Sequence, residues 1–217
     1  AVIQKANLVV DGDELSYGQI LQQVEARNAW ESCMEKYDYE AQKKRVATFN
    51  ASNSRYKKGL AIQPICFGIS FTNTMMNHAR ALVHIYHDGS VVVSTGAVEM
   101  GQGVNTKMLQ IVTETFGIPN HRVRIESTNT LRVANTSPTA ASAGADLNGK
   151  ALQMACVALS DRLKAVAQKE YSDATIDLKE EKVFANGVPT DISWNDLVMK
   201  AFTQRVALSE NSHYSTP

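Results

Sequence analysis

The sequence predicts an α+β fold with a mainly antiparallel sheet and packed helices. Three observations predict this class. Strand-like and helix-like patterns are mixed without a regular β–α–β order, an Asp88-Gly89 pair separates two β-rich runs, and amphipathic helical patterns flank them. Hydrophobic residues make up 44% of the 217 positions, so the chain is long enough to bury a substantial core.

Composition excludes several classes of protein. The 22 basic and 22 acidic residues balance, whereas a dedicated nucleic-acid binder needs a basic excess. No run of about 18 apolar residues is present, so we expect no membrane span. The three cysteines form no Cys-x-x-Cys pair, which argues against an iron–sulfur cluster or structural zinc held by this chain. Sparse cysteines, and a start without signal-peptide features or an initiator Met, lead us to expect a cytoplasmic protein fragment.

The N-terminal part is predicted to be helical. Apolar residues recur at helical spacing from Ser16, which with Gln19 forms a capping-box pattern, and the helical segment extends to Asn53 with a second stretch at 39–49. The polar residues 50–54 then favour a boundary. We therefore predict a helical connecting segment over 1–54 and an α+β subdomain over 55–217.

Period-two patterns predict the strands of the sheet. They cover residues 59–72, 81–95 and 122–128, with a weaker hairpin at 175–190 around Asn186-Gly187. Pro64 interrupts the first pattern and favours an edge strand or a bulge there. The C-terminal end is polar and carries no strand prediction.

Three further helices are predicted after the first strand pattern. Val104–Phe116 is amphipathic and is followed by Gly117, a typical C-cap residue. A long apolar stripe marks a helix over 147–166. Ser193 and Asp196 form a capping-box pattern before the last helix, expected at 194–206.

Residues 96–103, here called the first loop, join a predicted strand to a predicted helix. Glycines on either side of Gln102 permit positive φ and close approach of a ligand to the backbone. The N–H groups that open the helix favour an anion, and Gln102 offers both a donor and an acceptor. The alternative interpretation is a loop that needs glycines only to turn. For Glu99, a hydrogen bond that braces the loop is expected in preference to a functional carboxylate.

Residues 135–146, the second loop, also open a helix. Thr139, Ser142 and the amides of 141–144 suit phosphate or pterin oxygens, and the small side chains of Ala140 and Ala141 leave room for a bulky group. Simple N-capping by Ser142 or Thr139 is the alternative. Neither loop matches a phosphate-binding P-loop or a dinucleotide fingerprint, but the pair favours one shared anionic ligand.

The chain resembles the molybdenum-cofactor-binding large subunit of the xanthine dehydrogenase and aldehyde oxidase family, most closely bacterial xanthine dehydrogenases. Four stretches carry the resemblance: DYEAQKKRVATFN (38–50), KKGLAIQPICFGISF (57–71), ALVHIYHDGSVVVSTGAVEMGQGVNTKM (81–108) and NTSPTAASAGADLNGKA (135–151). The resemblance implies a molybdenum-cofactor-binding domain type of α+β fold.

The resemblance also implies a molybdopterin cofactor, whose own sulfurs bind molybdenum, so that no residue of this chain is expected to be catalytic or to ligate a metal. Gln102 would donate its amide to a cofactor oxygen. Ala140 and Ala141 would lie near the metal and the substrate. The full set of implied cofactor-binding residues is Met100, Gly101, Gln102, Gly103, Thr139, Ala140, Ala141, Ser142, Ala143 and Gly144.

Several motifs of the family that this chain resembles are missing from the sequence. Among them are the family's glycine-rich segment and the glutamate that acts as a base. The resemblance therefore implies an internal part of a larger subunit that oxidises hypoxanthine or xanthine to urate. The remainder of that subunit, with iron–sulfur and FAD domains or subunits, would be its partners. We expect the isolated chain to be inactive and without cofactor. A non-catalytic binding module and a degenerate, purely structural homologue are the alternatives.

Overall fold

The structure is a computed structural model that describes residues 1–216 and divides into two compact units, Ala1–Phe67 and the part from Gly68 onward. The first unit contains helices α1 (Val2–Ala6), α2 (Ala26–Lys36) and α3 (Tyr39–Ser52). Trp30 of α2 is its buried aromatic residue.

The predicted helix beginning at Ser16 is wrong for residues 16–25. This stretch folds back on itself, and Glu14 and Ile20 form an isolated antiparallel bridge. The side chain of Asp11 accepts a hydrogen bond from the Val24 N–H at 2.7 Å, and Gly18 adopts a φ of +89°. Local side-chain acceptors and a positive φ favour turns over helix, which explains why the apolar spacing was misleading.

The predicted strand over 59–72 is also wrong. The segment belongs to no strand of the described chain, and Ile65 and Phe67 are 80% and 76% exposed. Period-two alternation marks a surface that fits a sheet, but a strand forms only where a neighbouring backbone completes the ladder.

Besides two short 3-10 helices, the second unit contains ten α-helices and strands: β1 (His78–Ile85), β2 (Val91–Thr95), α4 (Val104–Phe116), β3 (Val123–Ile125), α5 (Ala143–Gln168), β4 (Ile176–Lys179), β5 (Lys182–Ala185), β6 (Val188–Ser193), α6 (Trp194–Thr203) and β7 (Ser209–Ser215). They form a four-stranded sheet of order β3-β2-β1-β7 and a three-stranded sheet of order β4-β5-β6. Every pairing is antiparallel except β2 with β3, so the predicted fold class is confirmed.

Most predicted elements of this unit are confirmed. The Asp88-Gly89 hairpin joins β1 to β2, and the bounds of α4 agree with the prediction. Both hydrogen bonds of the Ser193–Asp196 capping box are present, although α6 ends at Thr203 rather than Val206. No helix of residues 1–216 is both long and apolar enough to cross a bilayer.

The sequence did not indicate β7. Its exposed and half-buried residues alternate, and it pairs with β1 over seven positions. Polar side chains occupy most of the strand, so its apolar alternation is too weak to recognise without its partner.

Helices α4 and α5 pack on one another, and α5 lies across β1 and β7. Alternate residues of β1 point into this layer and are buried, while the others lie on the opposite face. The principal fully buried side chains are Met108, Phe116, Leu147, Leu152, Leu159, Leu163, Trp194 and Leu197. This packing fixes the two helix N-termini and hence the loops that precede them.

We expect Gly117→Ala to destabilise the protein strongly. Gly117 ends α4 with a φ of +64°, and an added Cβ would lie 2.5 Å from the Leu178 carbonyl oxygen. The strain of a left-handed backbone at alanine and the overpacking together predict that the free energy of unfolding falls by about 2–5 kcal/mol. Gly187 has a φ of +78° but open space around it, so Gly187→Ala should cost only about 1–2 kcal/mol. The free energy of unfolding of both variants is measured by urea denaturation. An equal decrease in Gly117→Ala and Gly187→Ala would show that the contact with Leu178 adds no cost.

Candidate cofactor site

The two loops predicted to bind an anion meet at one cavity. The first loop leads from β2 into α4, and the second leads into α5. The Val98 N–H donates a hydrogen bond of 2.9 Å to Oγ1 of Thr139, which ties the loops together. A cavity of about 380 Å³ lies between them, and its lining residues are Met100, Gln102, Val104, Lys107, Thr139, Ala140, Ala141, Ser142, Gly144 and Ala145.

Gln102 closes the turn of the first loop through its own amide. Its Oε1 accepts from the Met100 N–H at 2.6 Å, and its Nε2 donates to the Val98 carbonyl at 2.8 Å. Because a primary amide carries two N–H groups, one donor of Gln102 remains for a ligand.

The N-terminus of α4 is not free, contrary to the prediction. The Glu99 carboxylate accepts hydrogen bonds from the N–H groups of Gly101, Gly103 and Asn105 at 2.9, 3.0 and 3.0 Å. The Asn105 N–H, followed by the Gly103 N–H, lowers the pKa of the Glu99 carboxyl below its ordinary value of 4.5. Glu99 is therefore the loop-bracing residue, and it already supplies the negative charge that this helix end favours.

The N-terminus of α5 is different, because no side chain caps it in the described chain. N-capping by Ser142 or Thr139, the alternative considered from sequence, is wrong. The hydroxyl of Thr139 accepts from Val98 instead. Ala141 and Ser142 both adopt positive φ, +51° and +57°, and the Ser70 N–H holds the Ala141 carbonyl at 2.9 Å. Such backbone strain in non-glycine residues is typical of functional sites.

Glycines allow close approach at one edge of the site. A Cβ on Gly96 would lie 2.5 Å from the Thr136 side chain, so only glycine lets the end of β2 approach the second loop. Around Gly144, by contrast, the nearest atom to an added Cβ is 3.4 Å away, an ordinary contact.

The structure places seven of the ten predicted residues on the cavity and three elsewhere. Gly101 and Gly103 form the turn at positive φ, and Ala143 is buried in the core. Lys107 was missed from sequence. The sequence did contain a usable signal. Lys107 follows Val104, the first residue of α4, by three positions, and residues three apart are neighbours on a helix surface.

The site fits an anionic ligand that brings its own metal ligands. The uncapped α5 N-terminus, the Lys107 ammonium and one Gln102 N–H are all donors, and exposed Ala140 and Ala141 obstruct little space. No group of three metal-ligating side chains occurs in residues 1–216. This donor set suits the phosphate and pterin of a molybdopterin, whose sulfurs hold the metal.

Comparison with known proteins defines the class. Residues 32–217 match the family described as molybdopterin cofactor-binding domain, and the chain belongs to that family. Its similar relatives are named xanthine dehydrogenases. The xanthine dehydrogenase/oxidase of Mus musculus is 39% identical over 215 residues, 99% of this chain and 15% of the relative. The xanthine dehydrogenase of Emericella nidulans is 41% identical over 211 residues, covering 97% of this chain and 14% of that protein. The chain therefore spans about one seventh of these relatives.

Solved structures agree at the level of fold. Quinoline 2-oxidoreductase from Pseudomonas putida 86 has a TM-score of 0.75 at 19% identity, covering 99% of this chain and 30% of that one. Aldehyde oxidoreductase from Desulfovibrio desulfuricans has a TM-score of 0.59 at 18% identity. The match covers 98% of this chain and 20% of the aldehyde oxidoreductase chain. The predicted family is confirmed, and the site assignment stays a prediction.

We expect Gln102→Ala to impair function more than folding. The substitution removes the two hydrogen bonds that close the turn and the N–H left for a ligand. Loss of one such donor costs about 100-fold or more in turnover where it stabilises developing charge. Loss of these two exposed hydrogen bonds should lower the free energy of unfolding by about 1 kcal/mol, which is less than the expected effect on the activation free energy.

The matched control for this prediction is Gln110→Ala, on an exposed position of α4. Turnover of the cofactor-loaded, full-length protein and melting temperature should be measured together. Full activity with early melting would make Gln102 a structural residue only.

Proposed function

We propose that this chain forms one side of the molybdopterin site in a longer molybdenum hydroxylase that oxidises a purine, hypoxanthine or xanthine, to urate. One observation carries the proposal: two loops about forty residues apart in sequence line a single cavity and are joined through Val98 and Thr139. The similarity to proteins named xanthine dehydrogenases over nearly the whole chain supports the reaction class and the purine substrate.

Each loop has a separate task in this proposal. The uncapped first turn of α5 and Lys107 bind the phosphate or other anionic oxygens of the cofactor. Gln102 orients the cofactor through its remaining N–H, and Ala140 and Ala141 keep the space beside the reacting centre open. When bound, the cofactor supplies the molybdenum and its two-electron redox chemistry.

The remaining machinery belongs to other parts of the proposed enzyme. The cavity is open, and no carboxylate lines it, so a base for the hydroxylation must come from elsewhere. We place the iron–sulfur and FAD centres on other domains or subunits. Three free cysteines and no disulfide among the described residues favour a reducing compartment such as the cytoplasm.

A non-catalytic binding module is not favoured. The relatives that match nearly the whole chain, at 39% and 41% identity, are named xanthine dehydrogenase/oxidase and xanthine dehydrogenase, which favours part of an enzyme. The positive φ of Ala141 and Ser142 suits a loop that binds a ligand and is compatible with either function.

The substrate is tested by steady-state kinetics on the full-length, cofactor-loaded protein. We expect kcat/KM for hypoxanthine and xanthine to exceed that for an aromatic aldehyde such as benzaldehyde. Preference for the aldehyde would overturn the purine assignment while leaving the cofactor site intact. Absence of molybdenum and pterin from an active full-length protein would overturn both.

A further inference from the structure

Three basic side chains lie together on the outer face of the four-stranded sheet. His78 and Arg80 alternate along β1 with the buried Ala79, and Arg80 pairs in register with His213 of β7. The rings of His78 and His213 lie 5.5 Å apart. Because Ala79 faces the core packed by α5, these three side chains face the other side of the sheet.

The cluster contains polar atoms without partners. Arg80 Nε and His78 Nδ1 are two of the four buried side-chain atoms that make no hydrogen bond in the described part of the chain. None of the ion pairs within residues 1–216 includes Arg80, so no carboxylate oxygen of those residues lies within 4.0 Å of its guanidinium. A partly buried guanidinium is normally paired, because burial without a counter-charge is unfavourable.

We propose that His78, Arg80 and His213 form a binding site for an oxyanion, a carboxylate or a phosphate. The guanidinium presents a rigid fork of donors that matches two oxygens of either group, and each imidazole adds a ring N–H donor beside it. A metal cation does not fit, since the permanent positive charge of Arg80 would repel it. The three residues do not line the cavity between the two loops, so the proposal is independent of the molybdopterin site.

The test is an NMR titration of the full chain, following the imidazole Cε1–H signals. Sodium phosphate and sodium acetate are the two probes, each at constant ionic strength maintained with sodium chloride. We expect saturable shifts of His78 and His213 with at least one probe. Tighter binding of phosphate identifies a free phosphate-type ligand, and tighter binding of acetate identifies the carboxylate of another molecule.

Two variants and one control complete the experiment. Arg80→Gln should weaken binding by about tenfold or more, because the forked donor is lost. His213→Asn, at an exposed position, gives a second variant if the first fails to fold. Arg45→Gln removes the same charge from an exposed position of α3 and should leave binding unchanged. Shifts that chloride reproduces, that do not saturate, or that persist unchanged in folded Arg80→Gln or His213→Asn would overturn the proposal.

Discussion

Ala141→Leu should abolish activity and cofactor retention in the full-length protein while leaving its folding almost unchanged. Ala141 is exposed, lines the cavity and is held at a φ of +51° by the hydrogen bond from the Ser70 N–H to its carbonyl. No protein side chain needs to fill the space beside it. A leucine would place three more carbon atoms there, and displacement of reacting groups by about 1 Å costs about 100-fold in rate.

The control for Ala141→Leu is Ala134→Leu, in the preceding segment and exposed but away from the cavity. Both exposed substitutions should change stability by about 0.5 kcal/mol or less. Molybdenum content, turnover and melting temperature should be measured on the same samples. Normal turnover and cofactor content in Ala141→Leu would show that nothing reactive lies against the second loop.

Glu99→Ala should lower cofactor affinity by about tenfold or more, because supporting partners of a site typically matter to that degree. The Glu99 carboxylate holds three backbone N–H groups of the turn that also carries Gln102. Without it, the turn and the start of α4 lose their common acceptor. Glu114→Gln, on an exposed position of the same helix, is the control for an unrelated loss of negative charge.

The pKa of Glu99 adds a pH dependence with a definite sign. Its folded-state pKa is lowered below 4.5 by the N–H groups of Asn105 and Gly103. The bracing is therefore fully present above pH 4.5 and is lost as the pH falls through the lower, folded-state pKa. In the wild type, we expect cofactor release to increase as the pH falls and Glu99 becomes protonated. Glu99→Gln should remove this pH dependence when cofactor release is measured across the acidic range. A release profile identical to that of the wild type would show that another group controls it.

Signals contained within a few residues of sequence were sufficient for much of the fold. The Asp88-Gly89 turn, the C-cap at Gly117 and the Ser193–Asp196 capping box each rest on local chemistry, and the structure contains all three. The two loops of the candidate site were recognised for the same reason, since small residues before a helix are visible in sequence.

Features that depend on distant partners could not be predicted. Strand β7 is recognisable only beside β1. The apolar alternation at 65–71 does not form a strand, because the backbone hydrogen bond from Ser70 to Ala141 is not continued into a ladder. The hydrogen bond between Val98 and Thr139 spans 41 positions, and no local pattern indicates it. Lys107 enters the site only because the packing of α4 on α5 brings its helix face to the cavity.

The most direct test of the central claim is an experimental structure of the full-length protein purified with its cofactor. The account predicts molybdopterin in the cavity between the two loops, with the N–H groups at the start of α5 and the Nε2 of Gln102 about 2.7–3.2 Å from its oxygen or nitrogen acceptors. A bound molybdopterin that touches neither loop would contradict the account, and the strain at Ala141 and Ser142 would then need another explanation.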